Sequence, residues 1–232
     1  MFTNAPLAFA PGLTMELVPG DTISSGIAFT GFWELHHSRL IMDLARSGGH
    51  MIDIGANLGY FSLLWASARP DNTVTAFEAS PRNIELLTSN VQRNGLERRI
   101  SIIPKAAGRE RGTLAFDTGP ERQTGWGGFA AGGSGSLSVE VVRVDETVGP
   151  DVRARLLKVD IEGADAWALE GCERLLRERR VEQIWFEQNR PRMRALGIAD
   201  DEAPRFLASV GYRAYPRRSD REDVSDWEAL PA

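Results

Sequence analysis

Short runs of apolar residues alternate with longer amphipathic stretches in the first half of the chain. The apolar runs predict strands at residues 51–54, 73–77 and 100–103, and a 3.6-residue period predicts helices at 58–67 and 81–94. Because strands that alternate with helices form a parallel sheet covered on both faces, this pattern predicts the α/β class.

The alternation continues in the second half, where a fourth core strand is predicted at 156–160. The remaining predicted elements are an antiparallel strand pair at 113–117 and 137–144, helices at 34–46, 164–178 and 201–210, and strands at 183–187, 212–215 and 227–230. Together they predict a doubly wound, mostly parallel, seven-stranded sheet of the Rossmann-like kind, with an N-terminal arm and a small β insertion.

The chain of 232 residues is 42% hydrophobic, which suffices for one sizeable core and hardly for two. A single domain over residues 1–232 is therefore expected, with an arm and helix at 1–47 and a core at 48–232. Within the core, the stretch 119–136 is rich in glycine and carries two large aromatic side chains. It is interpreted either as a mobile lid that closes over a ligand or as a surface loop without a role.

Composition excludes several classes of function. The net charge of −5 and the pI near 5.4 give no basic surface for a polyanion, so nucleic acid is not an expected partner. The single cysteine, Cys172, excludes an internal disulfide and a cysteine-based metal cluster. No apolar stretch is long enough to span a membrane and no secretion signal is evident, so we expect no membrane partner and a cytoplasmic location. A homodimer is left open.

The most informative motif is a glycine turn between the first predicted core strand and its helix. It contains Asp53, Gly55, Asn57 and Gly59, and Glu78 ends the next predicted strand. This spacing indicates a nucleotide-binding α/β unit, in which the carboxylate of Glu78 accepts the ribose hydroxyls, although a plain strand-to-helix turn is an alternative. A dinucleotide site prefers G-x-G-x-x-G, and a carboxylate at Asp53 would repel a pyrophosphate. That carboxylate suits the ammonium and sulfonium groups of S-adenosyl-L-methionine.

A second group of polar residues follows the predicted strand at 156–160. Lys158 and Asp160 point to the same face of this strand, and a lysine inside a parallel sheet is costly unless it is paired. Asp160 ends the strand at the edge where open α/β sheets bind ligands. Glu162 is either a site residue or only a helix cap. Lys158 is either a site residue or a structural partner of Asp160 or Glu187.

If the methyl group of S-adenosyl-L-methionine is transferred to a hydroxyl group, a nearby group must accept the hydroxyl proton. Candidate bases are the carboxylates of Asp160, Glu162 and Glu187, and one histidine of the pair His36 and His37. The three carboxylates are also suited to hold a divalent cation such as Mg²⁺, which would acidify the hydroxyl. The sequence leaves the choice between base and metal open.

Six segments carry a resemblance to a known family. They are 53–62, 77–81, 90–95, 105–108, 157–165 and 186–187, and the Lys-x-Asp-x-Glu-Gly element at 158–163 is the most distinctive. With these segments the chain resembles the FkbM family of S-adenosyl-L-methionine-dependent methyltransferases. It departs from the family at Ala79-Ser80-Pro81, where a proline usually follows the glutamate directly.

The resemblance implies a class I methyltransferase fold, S-adenosyl-L-methionine as the cofactor, and O-methylation of a small hydroxylated acceptor, a sugar or another natural-product intermediate. The implied cofactor residues are Asp53, Gly55, Asn57 and Gly59 at the methionine end, Glu78 at the ribose, Lys105 and Ala106 near adenine, and in addition Glu34, Ala56, Ala79 and Asp160. The implied catalytic residues are Lys158, Asp160, Glu162, Glu187 and His36. Glu34, beside two aromatic residues, either covers the site or belongs to a segment that fastens the arm to the core.

Three alternatives stay open. The methyl acceptor is an amine or a macromolecule, or the chain is a catalytically silent subunit that binds the cofactor. The third and most distant alternative is a dehydrogenase that binds a nicotinamide nucleotide at the glycine turn.

Overall fold

A computed structural model describes residues 3–133, 135, 137–217 and 222–232 of the chain. These residues divide into two units. The first consists of Met1–Pro104 and Gly119–Trp126, and the second consists of Lys105–Thr118 and Gly127–Ala232. The expectation of one domain over the whole chain stays a prediction.

The first unit follows the predicted alternation of strands and helices. Its elements are β1 (Asn4–Pro6), β2 (Thr14–Glu16), α1 (Thr22–Thr30), α2 (Leu35–Ala45), β3 (His50–Ile54), α3 (Tyr60–Ala68), β4 (Thr73–Phe77), α4 (Pro81–Arg93), β5 (Ile100–Ile103) and a 3₁₀ turn (Thr124–Trp126). Strands β3, β4 and β5 pair in parallel. Near the N-terminus, β1 and β2 form an antiparallel pair.

Helix α3 is buried along most of its length, from Tyr60 to Ala66. Its sequence is apolar apart from two serines, which is typical of a helix that is covered on all sides. The helix begins two residues later than predicted, because Gly59 has a left-handed conformation (φ 90°) and still belongs to the turn. The turn after β3 is thereby anchored to a rigid core element.

The second unit contains both parallel and antiparallel strands. Its elements are β6 (Ala106–Ala107), β7 (Gly112–Asp117), β8 (Gly128–Phe129), a 3₁₀ turn (Ala131–Gly133), β9 (Leu137–Val142), α5 (Val144–Thr147), β10 (Ala154–Val159), α6 (Asp165–Glu170), α7 (Glu173–Arg177), β11 (Ile184–Asn189), α8 (Arg190–Leu196), α9 (Glu202–Ser209), β12 (Tyr212–Pro216) and β13 (Val224–Pro231). Strands β10 and β11 are parallel, whereas β13 is antiparallel to both β11 and β12. The predicted antiparallel pair is confirmed as β7 and β9, which belong to a separate sheet of order β6-β9-β7-β8.

The predicted helix at 164–178 is wrong as one element, because it breaks into α6 and α7 around Gly171. A Cβ atom at Gly171 would lie 2.2 Å from the carbonyl oxygen of Gly108. The carbonyl of Gly171 accepts the N–H of Asp145 at 3.0 Å. The helix therefore breaks where its backbone packs directly against another segment.

The sequence analysis missed the four-residue helix α5 and two longer helices, α1 and α8. Helix α1 is capped at its N-terminus by Asp21, whose carboxylate accepts the N–H of Ser24. Its C-terminal cap is Gly31, which has a left-handed conformation. Helix α8 has Pro191 in its first turn and ends at Gly197 in the same conformation. Both sets of capping signals are present in the sequence, but each helix has fewer than ten residues and shows little periodicity. None of the helices in the described part of the chain is long and apolar enough to cross a membrane.

Candidate active site

The turn after β3 is shaped by two glycines with positive φ. Gly55 (φ 81°) and Gly59 (φ 90°) lie in a region that other residues adopt with strain, and a Cβ at Gly59 would lie 2.6 Å from Leu87 Cδ1. The N–H groups of Gly55 and Ala56 both donate to the carbonyl of Phe77 at 3.0 Å. The turn is thus tied to the end of β4.

Asp53 lies in β3 just before this turn and is almost completely buried. Ser62 Oγ, on helix α3, donates a hydrogen bond of 2.6 Å to Asp53 Oδ2. This bond fixes the direction of the carboxylate. A direct contact between Asp53 and the methionine end of a cofactor stays a prediction.

The carboxylate of Glu78 joins the end of β4 to the glycine turn. Its Oε2 accepts the N–H of Asn57 at 2.8 Å, and its Oε1 accepts the N–H groups of Ala79 at 3.0 Å and Ser80 at 2.8 Å. Burial raises the pKa of Glu78, and the three N–H groups oppose that shift. A carboxylate has about four acceptor positions, so about one is left for a ligand. Binding of the ribose hydroxyls by Glu78 stays a prediction.

Three residues of the predicted site have an unusual backbone conformation. They are Glu34 (φ 45°), Asn57 (φ 53°) and Glu162 (φ 56°), and among the described residues Arg179 is the other non-glycine residue with a positive φ. Backbone strain of this kind clusters at functional sites, where the surrounding structure holds it in place. The conformations support a functional role for these three positions.

Glu34 precedes helix α2 and is partly exposed. Its Oε2 lies 3.1 Å from Nδ1 of His37, so Glu34 pairs with the helix that carries the predicted base His36. His36 itself is exposed in the first turn of α2. The roles of Glu34 in covering the cofactor and of His36 in catalysis stay predictions.

Four carboxyl groups gather in the second unit around β10 and β11. Asp160 follows β10, Glu162 and Asp165 lie between β10 and the first turn of α6, and Glu187 belongs to β11. The four groups lie close enough for their charges to interact, because Asp160, Asp165 and Glu162 all raise the pKa of Glu187. The site residues predicted from this part of the sequence are therefore brought together.

Two of these carboxylates have basic partners. Lys158 Nζ lies 3.2 Å from Asp160 Oδ2, so the predicted structural ion pair is present. Glu162 Oε2 accepts a hydrogen bond of 3.0 Å from Asn189 Nδ2 and lies 3.3 Å from Arg192 Nε. Both carboxylates are thus held in defined directions.

The other two carboxyl groups bind protons more tightly than ordinary carboxylic acids. Burial raises the pKa of Glu187 far above its ordinary value, and the neighbouring carboxylates raise it further. Burial also raises the pKa of Asp165, whose Oδ1 accepts the N–H of Glu187 at 3.1 Å. Strongly raised pKa values of this kind are frequent at sites that perform acid and base chemistry.

The stability of the protein is expected to depend on pH through Glu187. The pKa of Glu187 is higher in the folded chain than in an unfolded chain, where it is about 4.3. The stabilisation that protonated Glu187 provides at low pH is therefore lost as the pH rises above about 4.3. Relative to Glu187→Gln, the free energy of unfolding of the wild-type protein is expected to fall by up to about 1.4 kcal/mol per pH unit between about pH 5 and pH 7. Urea unfolding at several pH values measures this difference.

Glu182→Gln is the matched control for this prediction. Glu182 is an exposed acid of the same unit and pairs with Arg155 at 2.7 Å. Its substitution is expected to change stability equally at every pH in that range. A pH-independent difference between the wild-type protein and Glu187→Gln would contradict the raised pKa.

The predicted cation site is not supported by the geometry. The described residues contain no group of three or more His, Cys, Asp or Glu side chains that could hold a metal ion. The carboxylates of Asp160 and Glu162 are paired with Lys158 and Arg192 instead. We therefore correct the expectation that Asp160, Glu162 and Glu187 form a Mg²⁺ site.

The predicted adenine residues belong to the second unit. Lys105 Nζ forms an ion pair of 2.6 Å with Glu140 Oε1, and Ala106 is buried in β6. The side chain of Lys105 therefore has a protein partner that the sequence did not indicate. A contact of either residue with adenine stays a prediction.

One residue of the carboxyl cluster and two partners of Glu162 were given no role by the sequence analysis. Asp165 follows the Lys-x-Asp-x-Glu-Gly element directly and could have been found there as a further acid near a strand end. Asn189 and Arg192 lie around the end of β11, and only the folded chain brings them to Glu162. A Cβ at Gly163 would lie 2.7 Å from Arg192 Cβ, so this approach requires the glycine.

The polar atoms around the glycine turn fit S-adenosyl-L-methionine. Glu78 keeps capacity for one further donor, and Asn57 Oδ1 is buried without a hydrogen-bond partner among the described residues. The cofactor brings donors in its ammonium, ribose hydroxyl and adenine amino groups. A set of open acceptors is therefore matched by a ligand that is rich in donors.

Solved methyltransferase structures resemble the fold of this chain. A putative caffeoyl-CoA O-methyltransferase from Staphylococcus aureus has a TM-score of 0.54 and 14% identity, with 89% of this chain and 88% of that chain covered. A precorrin-6y C5,15-methyltransferase from Geobacter metallireducens GS-15 has a TM-score of 0.52 and 13% identity, with 87% and 90% covered. A putative tRNA (m1A22) methyltransferase from Streptococcus pneumoniae, solved in complex with S-adenosyl-L-methionine, has a TM-score of 0.52 and 11% identity, with 85% and 72% covered.

At these identities the likeness shows the fold, which is the Rossmann-like α/β fold of class I methyltransferases, as the sequence predicts. No curated protein matches the chain. A sequence profile described as the methyltransferase FkbM domain matches residues 53–214, a range that includes the glycine turn, Glu78 and the carboxyl cluster. Because this match covers well over half of the 232 residues, the chain belongs to the FkbM methyltransferase family and is an S-adenosyl-L-methionine-dependent methyltransferase.

Proposed function

We propose that the protein is an O-methyltransferase that methylates a hydroxyl group of a small molecule, a sugar or another natural-product intermediate. The observation that carries this proposal is the carboxyl cluster of the second unit. Within it, Glu187 has a raised pKa through burial and through the charges of its neighbours. A hydroxyl oxygen becomes a good nucleophile only as its proton is removed, and the ionised form of Glu187, which the raised pKa makes more basic, is suited to accept that proton.

The reaction is a displacement in which the acceptor oxygen forms a bond to the methyl carbon. When bound, S-adenosyl-L-methionine supplies an electrophilic methyl group, and its sulfonium sulfur takes the electron pair of the broken bond. The hydroxyl proton passes to the ionised form of Glu187, and the products are an ether, S-adenosylhomocysteine and the protonated acid. The carboxylate of Asp160, held by Lys158, is proposed to orient the acceptor by hydrogen bonding.

A small acceptor is favoured over a nucleic acid on electrostatic grounds. The chain carries a net charge of −5, and the cluster adds several acids within one unit. A phosphate backbone is attracted by surfaces rich in lysine and arginine and is repelled by negatively charged surfaces. The structural relatives include both a putative O-methyltransferase and a putative tRNA methyltransferase, so the shared fold does not decide the substrate. A cytoplasmic location and a homodimer also remain predictions.

The proposal is tested with S-adenosyl-L-methionine that carries an isotopically labelled methyl group. The acceptors are pairs of small molecules that differ only in bearing a hydroxyl or an amino group at one position. Mass spectrometry is expected to find the label on the hydroxyl oxygen, with one S-adenosylhomocysteine formed per product. Label found only on the amino member would support N-methylation instead. If no acceptor of a broad hydroxylated panel is labelled although S-adenosylhomocysteine binds, the silent cofactor-binding subunit is favoured.

A further inference from the structure

The first part of the glycine-rich stretch forms a closed loop, residues 119–126, which we call the Arg82 loop. Its two ends meet, because a Cβ at Gly119 would lie 2.9 Å from Trp126 Cβ. Loops of this length with adjacent ends are Ω-loops, which are frequently functional. The lid hypothesis for the whole stretch 119–136 stays a prediction, and residues 134 and 136 lie outside the described residues.

The guanidinium group of Arg82 organises this loop. It donates to the carbonyl of Pro120 at 3.4 Å, to the carbonyl of Glu121, and to the carbonyl of Gln123 at 2.9 Å. Arg82 lies in the first turn of α4, four residues after Glu78. The helix that follows the predicted ribose carboxylate thus also holds the loop.

Asp21, the residue that caps helix α1, also fastens the loop. Its Oδ1 accepts both the N–H of Thr124 at 2.8 Å and the hydroxyl of Thr124 at 3.0 Å, and both residues are buried. The amide of Gln123 adds bonds to Thr22 Oγ1 and to the carbonyl of Gly20, each at 3.0 Å. The loop is therefore held by buried hydrogen bonds to the carboxylate of Asp21 and by exposed hydrogen bonds of Gln123.

The side-chain amide of Asn83 forms a hydrogen bond to this loop through its nitrogen, whereas its oxygen has no hydrogen-bond partner among the described residues. Its Nδ2 donates to the carbonyl of Thr124 at 2.9 Å, which fixes the orientation of the amide. Its Oδ1 is buried and has no hydrogen-bond partner among the described residues, and the residue is only 3% exposed. A buried acceptor in this state is unfavourable unless a ligand supplies a donor.

The loop also reaches the glycine turn. A Cβ at Gly125 would lie 3.7 Å from Asn57 Nδ2, and Asn57 Oδ1 is the other open amide oxygen of this region. The side chains of Asn83 and Asn57, each with an open acceptor oxygen, therefore lie next to the neighbouring loop residues Thr124 and Gly125. Both belong to the unit that contains Glu78.

We propose that Asn83 binds the adenosine half of S-adenosyl-L-methionine through Oδ1, and that Arg82 and Asp21 are positioning residues that hold the loop which orients Asn83. The adenosine half is assigned because Asn83 lies in the first turn of the helix whose cap residue, Ser80, donates its N–H to Glu78. The ribose hydroxyls and the adenine amino group are the donors available there. This inference rests on the cofactor assignment and does not depend on the proposed acceptor.

Calorimetric titration with two ligands tests this inference. The ligands are S-adenosylhomocysteine and 5′-methylthioadenosine, which keeps the adenosine half and lacks the amino acid. Asn83→Ala is expected to raise the Kd of both ligands by the same factor, about fivefold to fiftyfold, because the lost bond is to the shared half. Arg82→Met is expected to raise both Kd values by about threefold to thirtyfold, since the loop no longer orients Asn83.

Matched controls separate a role in binding from a role in folding. Asn94→Ala removes a fully bonded asparagine at the far end of α4, and Arg99→Met removes an arginine that binds the carbonyls of Ala66 and Arg69. Both controls are expected to lower the Tm while changing Kd by less than about twofold. If Asn83→Ala does not fold, Arg82→Met and Arg99→Met still decide the positioning role.

The outcomes are distinct. Wild-type affinity in both Asn83→Ala and Arg82→Met would overturn the inference, as would equal losses of affinity in Arg82→Met and Arg99→Met. A loss confined to S-adenosylhomocysteine would overturn the assignment to the adenosine half. If the wild-type protein bound neither ligand, the cofactor assignment itself would fail, and this result is seen before any variant is titrated.

Discussion

Replacement of Glu187 by glutamine is expected to lower kcat for methyl transfer by about 10²–10⁴-fold, because the variant cannot accept the hydroxyl proton. The Kd for S-adenosylhomocysteine is expected to stay within about twofold, since the proposed cofactor residues do not include Glu187. In the wild-type protein, kcat/KM is expected to rise with pH across the neutral range. The raised pKa of Glu187 means that its ionised, proton-accepting fraction grows with pH. Steady-state kinetics with a labelled methyl group measure all three quantities.

The control for this prediction is again Glu182→Gln, which alters an exposed acid of the same unit. It is expected to keep the kcat and the pH profile of the wild-type protein. If Glu187→Gln turned over at the wild-type rate with an unchanged pH profile, proton transfer to Glu187 would be excluded. The remaining candidates from the sequence, Asp160, Glu162 and His36, would then be compared in the same assay.

Replacement of Glu78 by alanine is expected to raise the Kd for S-adenosylhomocysteine by about fivefold to 150-fold, the equivalent of about 1–3 kcal/mol. Two losses contribute. The ligand loses an acceptor for a ribose hydroxyl, and the N–H groups of Asn57, Ala79 and Ser80 lose the carboxylate that holds them. Equilibrium dialysis with labelled ligand measures the change.

Glu85→Ala provides the comparison, because Glu85 is an exposed acid on the same helix, α4. Its affinity is expected to stay within about twofold of the wild-type value. An intermediate effect is expected for Glu78→Gln, which keeps one acceptor oxygen and turns an NH₂ group toward a backbone donor. Wild-type affinity in a folded Glu78→Ala protein would show that the ribose is bound elsewhere.

Much of the fold could be predicted because its strands are local apolar runs. The predicted strands at 73–77 and 100–103 coincide with β4 and β5. The break between α6 and α7 could not be predicted in this way, because it depends on the approach of Gly108 to Gly171. Sequence periodicity reports the faces of an element, but it does not report which distant backbone segment packs against it.

The candidate site could also be predicted only in part. The spacing of Asp53, Gly55, Asn57 and Gly59 identified the turn, since φ values and close approaches restrict residue types locally. The hydrogen bond from the Asn57 N–H to Glu78 was not predictable, because it joins two segments that meet only in the folded chain.

The Arg82 loop shows what glycine content leaves out. Its glycines suggested flexibility, but flexibility of an isolated segment says nothing about the side chains that bind it. In the folded chain, Arg82 and Asp21 hold it through hydrogen bonds from positions distant in sequence. The hydrogen bonds that hold the loop are a tertiary effect, which glycine content does not report.

The central claim is that the glycine turn and Glu78 bind the cofactor of this methyltransferase. A crystal structure of the protein with S-adenosylhomocysteine tests it most directly. We expect a carboxylate oxygen of Glu78 to lie about 2.5–3.0 Å from one ribose hydroxyl oxygen, with the ligand lying against the turn that contains Gly55 and Gly59. A well-ordered ligand bound away from Glu78 and from this turn would contradict the account.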